Sequence, residues 1–245
     1  MSPAITWATA VRVLTQLRRD PRTIALLMVV PPFLITLLRF AFDQDLASFQ
    51  AIGGTLVGIF PFTTMFVVTS ITMLRERVTG TLERLMTMPL TKLDLLAGYG
   101  LAFAVVGVVQ ALFTSFVAFG LLDVRVVGPT ALVIFLAMLN ALLGMSLGLF
   151  VSAFARTEFQ AVQFMPAIVF PQYVLCGLFV ARSQMAPALE AVSYVMPLTY
   201  AFDALHRVTV EGSLGRRGVV DTVVVCLVTL AALTLGAATL RRRTP

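Results

Sequence analysis

The stretch that decides the fold is Arg75-Glu-Arg-Val-Thr-Gly-Thr-Leu-Glu-Arg-Leu-Met-Thr-Met-Pro89, which lies between two long apolar runs. Only 12% of the chain is charged, so a cluster this dense needs a physical reason. Gly80 interrupts the cluster and Pro89 closes it. The pattern predicts a short helix at a membrane surface, placed between two membrane crossings.

The composition is that of a polytopic membrane protein. Of the 245 residues, 59% are hydrophobic, and the mean hydropathy is +0.95. A soluble domain is typically about 45–50% apolar and about 25% charged. The net charge of +6 does not indicate a nucleic-acid partner, because the basic residues sit at the ends of apolar runs instead of forming one stripe.

Six apolar runs are long enough to cross a bilayer, at about 20 residues for each crossing. We therefore predict an all-α protein with six transmembrane helices. The first run holds Pro31-Pro32 and should bend there, and the fifth holds Pro166 and Pro171 and should be kinked or broken. The predicted crossings are 23–41, 52–74, 94–122, 127–154, 159–180 and 220–240.

The segments outside these runs have predicted roles of their own. Residues 1–22 should form an amphipathic helix in the membrane interface, with Trp7 at headgroup depth and Arg12 on the polar side. Residues 23–245 should form one transmembrane domain. Within 182–218, the apolar segment 191–202 is too short to cross, and it predicts re-entrant or surface-lying helices before the last crossing.

The distribution of Lys and Arg predicts that both termini are cytoplasmic. With that orientation, twelve basic residues fall on the cytoplasmic side and six on the outer side, as the positive-inside rule requires. The outer six are Arg39, Arg125, Arg182, Arg207, Arg216 and Arg217.

Motifs for catalysis or for ion coupling are missing from the sequence. Lys92 is the only lysine, and no phosphate-binding loop surrounds it. His206 is the only histidine, so a multi-histidine metal site is excluded, and no catalytic residue or cofactor is expected in this chain. Asp203 and His206 are three residues apart and form either an interfacial pair or the site of a membrane-embedded enzyme or scaffold. No acid lies near the middle of a crossing, which argues against an ion-coupled carrier.

Neutral polar residues inside the crossings are candidates for a translocation path, although such side chains also commonly bond helices to each other in lipid. The candidates are Thr63, Thr64, Gln110, Asn140, Gln163 and Gln172. Gly54-x-x-x-Gly58 and Gly144-x-x-x-Gly148 allow helices to approach closely, either within one subunit or between two.

The charged stretch itself has the signals of a short helix. Thr79 or Gly80 can cap it, and Glu83 falls in its first turn, where the helix dipole favours an acid. Thr91 and Asp94 then form a capping box for the next crossing. The alternative interpretation is an ordinary charged loop that anchors the topology.

These residues resemble the signature of ABC type-2 exporter permeases, most nearly the membrane subunits of daunorubicin and drug-resistance exporters. The resemblance lies in Glu76–Leu85, in Met88-Pro89-Leu90 and in Asp94-Leu95-Leu96. Weaker matches occur at 17–22 and 196–205, so the resemblance covers nearly the whole chain. The family often places its glycine closer to the glutamate than Gly80 stands here, which leaves the start of the short helix open.

The resemblance implies a permease in a bacterial cell membrane that pairs with a second permease subunit, identical or different. Two ABC ATP-binding subunits, holding ATP and Mg, would dock beneath the pair. Residues 80–88 would be the coupling helix, and the expected ATPase-coupling residues are Glu76, Arg77, Gly80, Glu83, Arg84, Leu85 and Pro89. The expected cargo is an amphipathic drug, antibiotic or lipid-like molecule, and polysaccharide export is the alternative.

Overall fold

The computed structural model describes residues 2–81 and 91–239, and all regular secondary structure within these ranges is helical. The α-helices are α1 Pro3–Arg18, α2 Pro21–Ala41, α3 Leu46–Val78, α4 Lys92–Ser115, α5 Thr130–Val151, α6 Glu158–Phe164, α7 Phe170–Leu175, α8 Pro187–Ser193, α9 Pro197–His206 and α10 Gly215–Ala238. Three segments are π-helical, namely Phe116–Leu121, Met165–Val169 and Arg207–Glu211, and Arg182–Gln184 is a 3₁₀ turn.

Five helical segments in the described residues are long and apolar enough to cross a membrane. They are Pro21–Ala41, Leu46–Val78, Leu93–Leu121, Thr130–Val151 and Gly215–Ala238, and each overlaps a predicted crossing. The predicted crossing at 159–180 is not a single long α-helix. It consists of α6, the π-helical segment Met165–Val169 and α7. Pro166 and Pro171 lack the N–H that a regular α-helix needs, which accounts for the predicted break.

Helices α3 and α5 pack at backbone distance in the centre of the bundle. A Cβ on Gly144 would lie 2.8 Å from the carbonyl carbon of Phe62, and one on Gly148 would lie 3.1 Å from that of Phe66. Thr69 Oγ1 donates a hydrogen bond to the Met145 carbonyl at 3.2 Å. The Gly144-x-x-x-Gly148 pattern therefore serves packing within one chain.

The second glycine pair, Gly54 and Gly58, faces α9 and the π-helical segment that follows it. A Cβ on Gly54 would lie 2.8 Å from Thr209 Cγ2, and one on Gly58 would lie 3.2 Å from Leu205 Cδ2. This contact brings the short helix α9 against the first half of α3. It is also a contact within one chain.

Helix α1 is attached to the beginning of α4. The backbone N–H of Ser2 donates to Asp94 Oδ1 at 2.8 Å. Gly98 of α4 permits close approach, since a Cβ there would lie 2.9 Å from the Thr6 carbonyl oxygen. On the face turned away from α4, Trp7 is 64% exposed, as an interfacial side chain should be.

The predicted capping box at the start of α4 is confirmed. Thr91 Oγ1 accepts from the Asp94 N–H at 3.1 Å, and Asp94 Oδ2 accepts from the Thr91 N–H at 3.2 Å. Asp94 therefore caps α4 and holds Ser2 of α1 with the same carboxylate. This double use connects a local helix signal to a tertiary contact.

At the opposite end of the bundle, the loop before α5 is bonded to the π-helical segment Arg207–Glu211. The N–H groups of Val127 and Gly128 donate to the carbonyls of Thr209 and Val208, each at 3.0 Å. Gln50 Nε2 donates to the carbonyl of Asp123 at 2.9 Å. We call this end the Asp203 end, and the end where α3 finishes and α4 begins the Glu76 end.

Candidate coupling site and translocation path

Three helices meet in a polar cluster at the Glu76 end, formed by Arg12, Glu76 and Tyr99 and called here the Arg12 cluster. Arg12 Nη2 lies 3.7 Å from Glu76 Oε2 and also donates to the Tyr99 hydroxyl. The guanidinium carbon is 5.6 Å from the centroid of the Tyr99 ring. Glu76 is only 8% exposed and Tyr99 is fully buried. A carboxylate in such a place needs a nearby positive charge, and Arg12 supplies it.

The Arg12 cluster contains one residue from the helix before the α3–α4 connection and one from the helix after it. Glu76 stands in the last turn of α3, and Tyr99 stands in the first half of α4. Arg12 reaches both from α1, while Ser2 fixes the beginning of α1 to Asp94. A displacement of the α3–α4 connection would therefore act on all three helices together.

The predicted coupling residues inside the described ranges lie at the end of α3. Arg77 is partly buried beside Glu76. Gly80 has φ of +72°, and its N–H donates to the Arg77 carbonyl at 3.4 Å. A left-handed glycine directly after the last turn is a helix-ending signal, so Gly80 terminates α3. Glu83, Arg84, Leu85 and Pro89 lie outside the described residues.

Sequence reasoning did not find the partner of Glu76. It placed Arg12 on the polar side of α1 without a partner, and the structure turns Arg12 toward Glu76 and Tyr99. One available signal was the position of Glu76 itself, an acid at the end of an apolar run in a chain with few charges. Arg75 was also not paired in advance, and its Nε donates to Glu158 Oε1 of α6 at 3.0 Å.

A cavity of about 600 Å³ lies between α1, α2 and α3, with Phe103 of α4 also in its wall. Most of the wall is apolar, with Leu27 and Val30 contributed by α2. Its polar residues at the Glu76 end are Gln16, Asp20, Thr23, Thr72, Arg75, Glu76, Thr79 and Thr81, and those deeper in the bundle are Thr63 and Thr64. Thr64 and Glu76 are separated by about 18 Å along α3, at 1.5 Å for each residue.

Three of the predicted path residues are grouped at the deep end of this cavity. Thr63 and Thr64 line the wall. Gln110 Nε2 donates to the Thr64 hydroxyl and, at 2.9 Å, to the Leu27 carbonyl. Thr63 shares a hydrogen bond with the Tyr173 hydroxyl, which itself donates to the Ile59 carbonyl at 3.3 Å.

The other predicted path residues lie elsewhere. Asn140 is buried on α5, with its Nδ2 3.2 Å from the position of a Cβ on Gly58. Gln172 Oε1 accepts the N–H of Leu198 at 3.2 Å and so supports the first turn of α9. Gln163 is exposed and lies beside Arg156 in a shallow groove at the Glu76 end. These three do not border the cavity.

At the Asp203 end, Arg182 Nη2 donates a hydrogen bond to Asp203 Oδ2. The Arg182 guanidinium carbon lies 5.5 Å from the centroid of the Tyr194 ring. His206 instead stacks on Phe202, with ring centroids 5.4 Å apart. Burial raises the pKa of Asp203 above its usual range, although Arg182 opposes the rise. This geometry is an ion pair between two segments at the Asp203 end, and it does not form an Asp–His dyad.

Comparison with known proteins identifies similar transport proteins. The chain is 26% identical over 149 residues to the probable multidrug ABC transporter permease YbhS of Escherichia coli, covering 60% of this chain and 40% of YbhS. It is 27% identical over 180 residues to the inner membrane transport permease YhhJ of Escherichia coli, covering 73% and 47%. It is 27% identical over 145 residues to ABC transporter G family member 20 of Dictyostelium discoideum, covering 59% and 20%.

The chain therefore spans less than half the length of each of these relatives. Residues 5–209 match the family described as ABC-2 type transporter. The matched region includes the Arg12 cluster, the cavity and the ion pair between Arg182 and Asp203. The chain, with its several apolar membrane helices, belongs to the ABC-2 type transporter family.

Proposed function

We propose that this chain is the membrane permease subunit of an ATP-driven exporter. It moves an amphipathic drug, antibiotic or lipid-like molecule out of the cytoplasm of a bacterial cell. Two copies of a separate ABC subunit bind ATP and Mg and hydrolyse the ATP, and a second permease subunit, identical or different, completes the path. The name of YbhS, a probable multidrug ABC transporter permease, supports the choice of cargo.

The observation that carries this proposal is the Arg12 cluster. It fastens α1 to both helices that flank the α3–α4 connection, through Glu76 on one side and Tyr99 on the other. A permease that makes and breaks no bonds needs a mechanical connection to its energy source. The segment 80–88, with Glu83 and Arg84, is the surface on which the ATP-binding subunit acts, and the cluster passes its movement to the bundle.

The cavity supports an amphipathic cargo. Its volume of about 600 Å³ lies within the range of sites for drug-sized ligands, which is about 300–1,000 Å³. An apolar wall binds the hydrocarbon part of such a molecule, and the polar groups near Asp20 and Glu76 accommodate its head group. The deep residues Thr63, Thr64 and Gln110 then offer hydrogen bonds along the path.

The membrane arrangement in this proposal has six crossings. Besides the five long helical segments, the continuous helical segment 158–175 and the residues that follow it form one more crossing, the fifth in chain order. Residues 1–22 lie in the cytoplasmic interface, residues 23–245 form the transmembrane domain, and both termini are cytoplasmic. The Asp203 end, with α8 and α9, then faces outward and borders the exit.

Reconstitution of the permease with its ATP-binding subunit in proteoliposomes tests the proposal. Glu83→Ala should greatly reduce ATP-driven transport of a fluorescent amphipathic dye, while membrane insertion and protein yield stay unchanged. Glu211→Ala is the matched control, because it removes an exposed acid at the opposite end of the bundle. Full transport by Glu83→Ala, or purification without any ATPase, would contradict the proposal. Loss of activity in His206→Ala alone would favour the enzyme alternative.

A further inference from the structure

Pro31 lies inside helix α2 and cannot donate the backbone hydrogen bond that the Leu27 carbonyl would otherwise accept. The Leu27 carbonyl therefore needs another donor, because Leu27 is 1% exposed and an unpaired buried carbonyl is costly. That donor comes from a different helix. Gln110 of α4 is fully buried, and its Nε2 donates to the Leu27 carbonyl at 2.9 Å.

The same amide nitrogen also donates to the hydroxyl of Thr64 on α3. Leu27 and Thr64 both line the cavity, from its α2 wall and its α3 wall respectively. Gln110 therefore joins the two walls at the deep end of the cavity, at the point where α2 has lost its own backbone bond. One side chain fixes the spacing of the two helices.

We propose that Gln110 is a positioning residue that acts as a latch. It holds α2 against α3 at Pro31, and its release lets the half of α2 before Pro31 swing on the proline and widen the cavity. The identity of the cavity as a cargo site rests on the proposed function. The latch is a property of the bundle and can be measured without transport.

Two features make release of the latch physically accessible. Gln110 Oε1 has no hydrogen-bond partner in the part of the chain that the structure describes, so the closed arrangement retains a buried unsatisfied acceptor. The half of α2 before Pro31 also packs on the bundle through one face only, since Leu26 is 64% exposed and Val29 is 56% exposed, whereas Leu27 is buried.

A double-mutant cycle tests the bond to Leu27. Gln110→Met keeps the length of the side chain and removes its donors, and it should lower the melting temperature by about 2–8 °C. In a Pro31→Ala background, the restored N–H of residue 31 satisfies Leu27, so Gln110→Met should lower the melting temperature much less. An equal loss of melting temperature in both backgrounds would show that Gln110 does not replace the backbone hydrogen bond that Pro31 removes. Thr64→Val measures the part of the effect that belongs to the second bond.

Pulsed EPR tests the movement itself. Spin labels at Leu26→Cys and Val78→Cys, in a Cys176→Ala, Cys226→Ala background, report the separation of α2 and α3 at the Glu76 end. Gln110→Met should add a population with a longer separation, and the further change Pro31→Ala should remove it. The control is Thr36→Val, which deletes a side-chain bond to Pro32 within α2 and should leave the separation unchanged.

An unchanged distance distribution in Gln110→Met would overturn the latch. If the distances change as expected but the reconstituted complex moves no cargo, the latch stands and the proposed function fails. If the complex transports cargo while the distances stay fixed, the proposed function stands and the latch fails. The two conclusions are therefore separable by these measurements.

Discussion

Arg12 of α1 and Glu76 of α3 form a partly buried ion pair, with 3.7 Å between Arg12 Nη2 and Glu76 Oε2. The two residues come from segments that are separated along the chain by the whole of α2. Their contact means that α1 is a structural part of the bundle. Glu76 also stands four residues before the segment 80–88, which we expect to meet the ATPase.

Replacement of Arg12 should impair both stability and coupling. Arg12→Ala leaves Glu76 buried without its counter-charge and should lower the free energy of unfolding by about 1–3 kcal/mol. ATP hydrolysis by the complex should continue while transport for each ATP falls, and Arg12→Lys should restore part of it. Chemical denaturation and a transport assay in proteoliposomes measure the two effects. Arg18→Ala is the control, since Arg18 is exposed on the same helix, and equal behaviour of the two variants would contradict this role.

The close packing of α3 against α5 should not tolerate a methyl group. Gly144→Ala or Gly148→Ala would place a Cβ against the backbone of Phe62 or Phe66, so we expect a destabilisation of about 1–3 kcal/mol. Gly100→Ala should be neutral or stabilising, because the nearest atom, Leu233 Cδ2, is 3.8 Å away and alanine favours a helix. Melting temperatures in detergent check both expectations. A melting temperature for Gly144→Ala equal to that of the wild type would show that the helices can separate freely.

Stability should depend on pH through Asp203 in a defined direction. Because burial raises its pKa in the folded protein, the folded state binds this proton more tightly than the unfolded chain does. The contribution is present at low pH and is lost as the pH rises from about 3.8 through the folded pKa. Asp203→Asn should therefore remove the decline in melting temperature that begins as the pH rises above about 3.8. An identical decline in the variant would assign the effect to other groups.

Asp20 should show the opposite pH dependence. Hydrogen bonds from Thr23 lower the pKa of Asp20, which caps α2. Its stabilisation is therefore present above the unfolded pKa of 3.8 and is lost as the pH falls toward the lowered value. Asp20→Asn keeps a capping side chain and should flatten this acid-side loss, whereas Asp20→Ala should cost about 0.5–2 kcal/mol at neutral pH. Melting curves from pH 2.5 to 7 distinguish the variants, and a steeper acid-side loss in Asp20→Asn would be the contradicting result.

Hydropathy was sufficient to locate most of the membrane helices, because lipid requires long apolar segments whatever their neighbours are. The bounds of the helices depend on local signals as well. Helix α3 extends beyond the predicted crossing 52–74 at both ends, from Leu46 to Val78, and Asp45 caps its beginning. The π-helical break near Pro166 was predictable from proline chemistry. The π-helical segments at Phe116–Leu121 and Arg207–Glu211 contain no proline and gave no comparable signal.

The candidate site was only partly predictable for a related reason. Helical periodicity tells which residues share a face, but it does not tell which distant helix that face meets. Thr91 and Asp94 were paired correctly because a capping box is local. The contacts of Arg12 with Glu76, and of Gln110 with Leu27, join residues far apart in sequence. Their pairing depends on the tertiary arrangement, which one sequence does not encode in any short pattern.

The contact of Gly144 and Gly148 with the backbone of α3 makes α3 and α5 a close-packed pair in the centre of the bundle. Two helices that touch backbone to backbone cannot slide or rotate against each other without overlap, so α3 and α5 carry any applied force as one rigid body. In the proposed mechanism, a displacement that reaches Glu76 is carried by this close-packed pair. The change of shape then falls on α2, where Pro31 removes one backbone hydrogen bond.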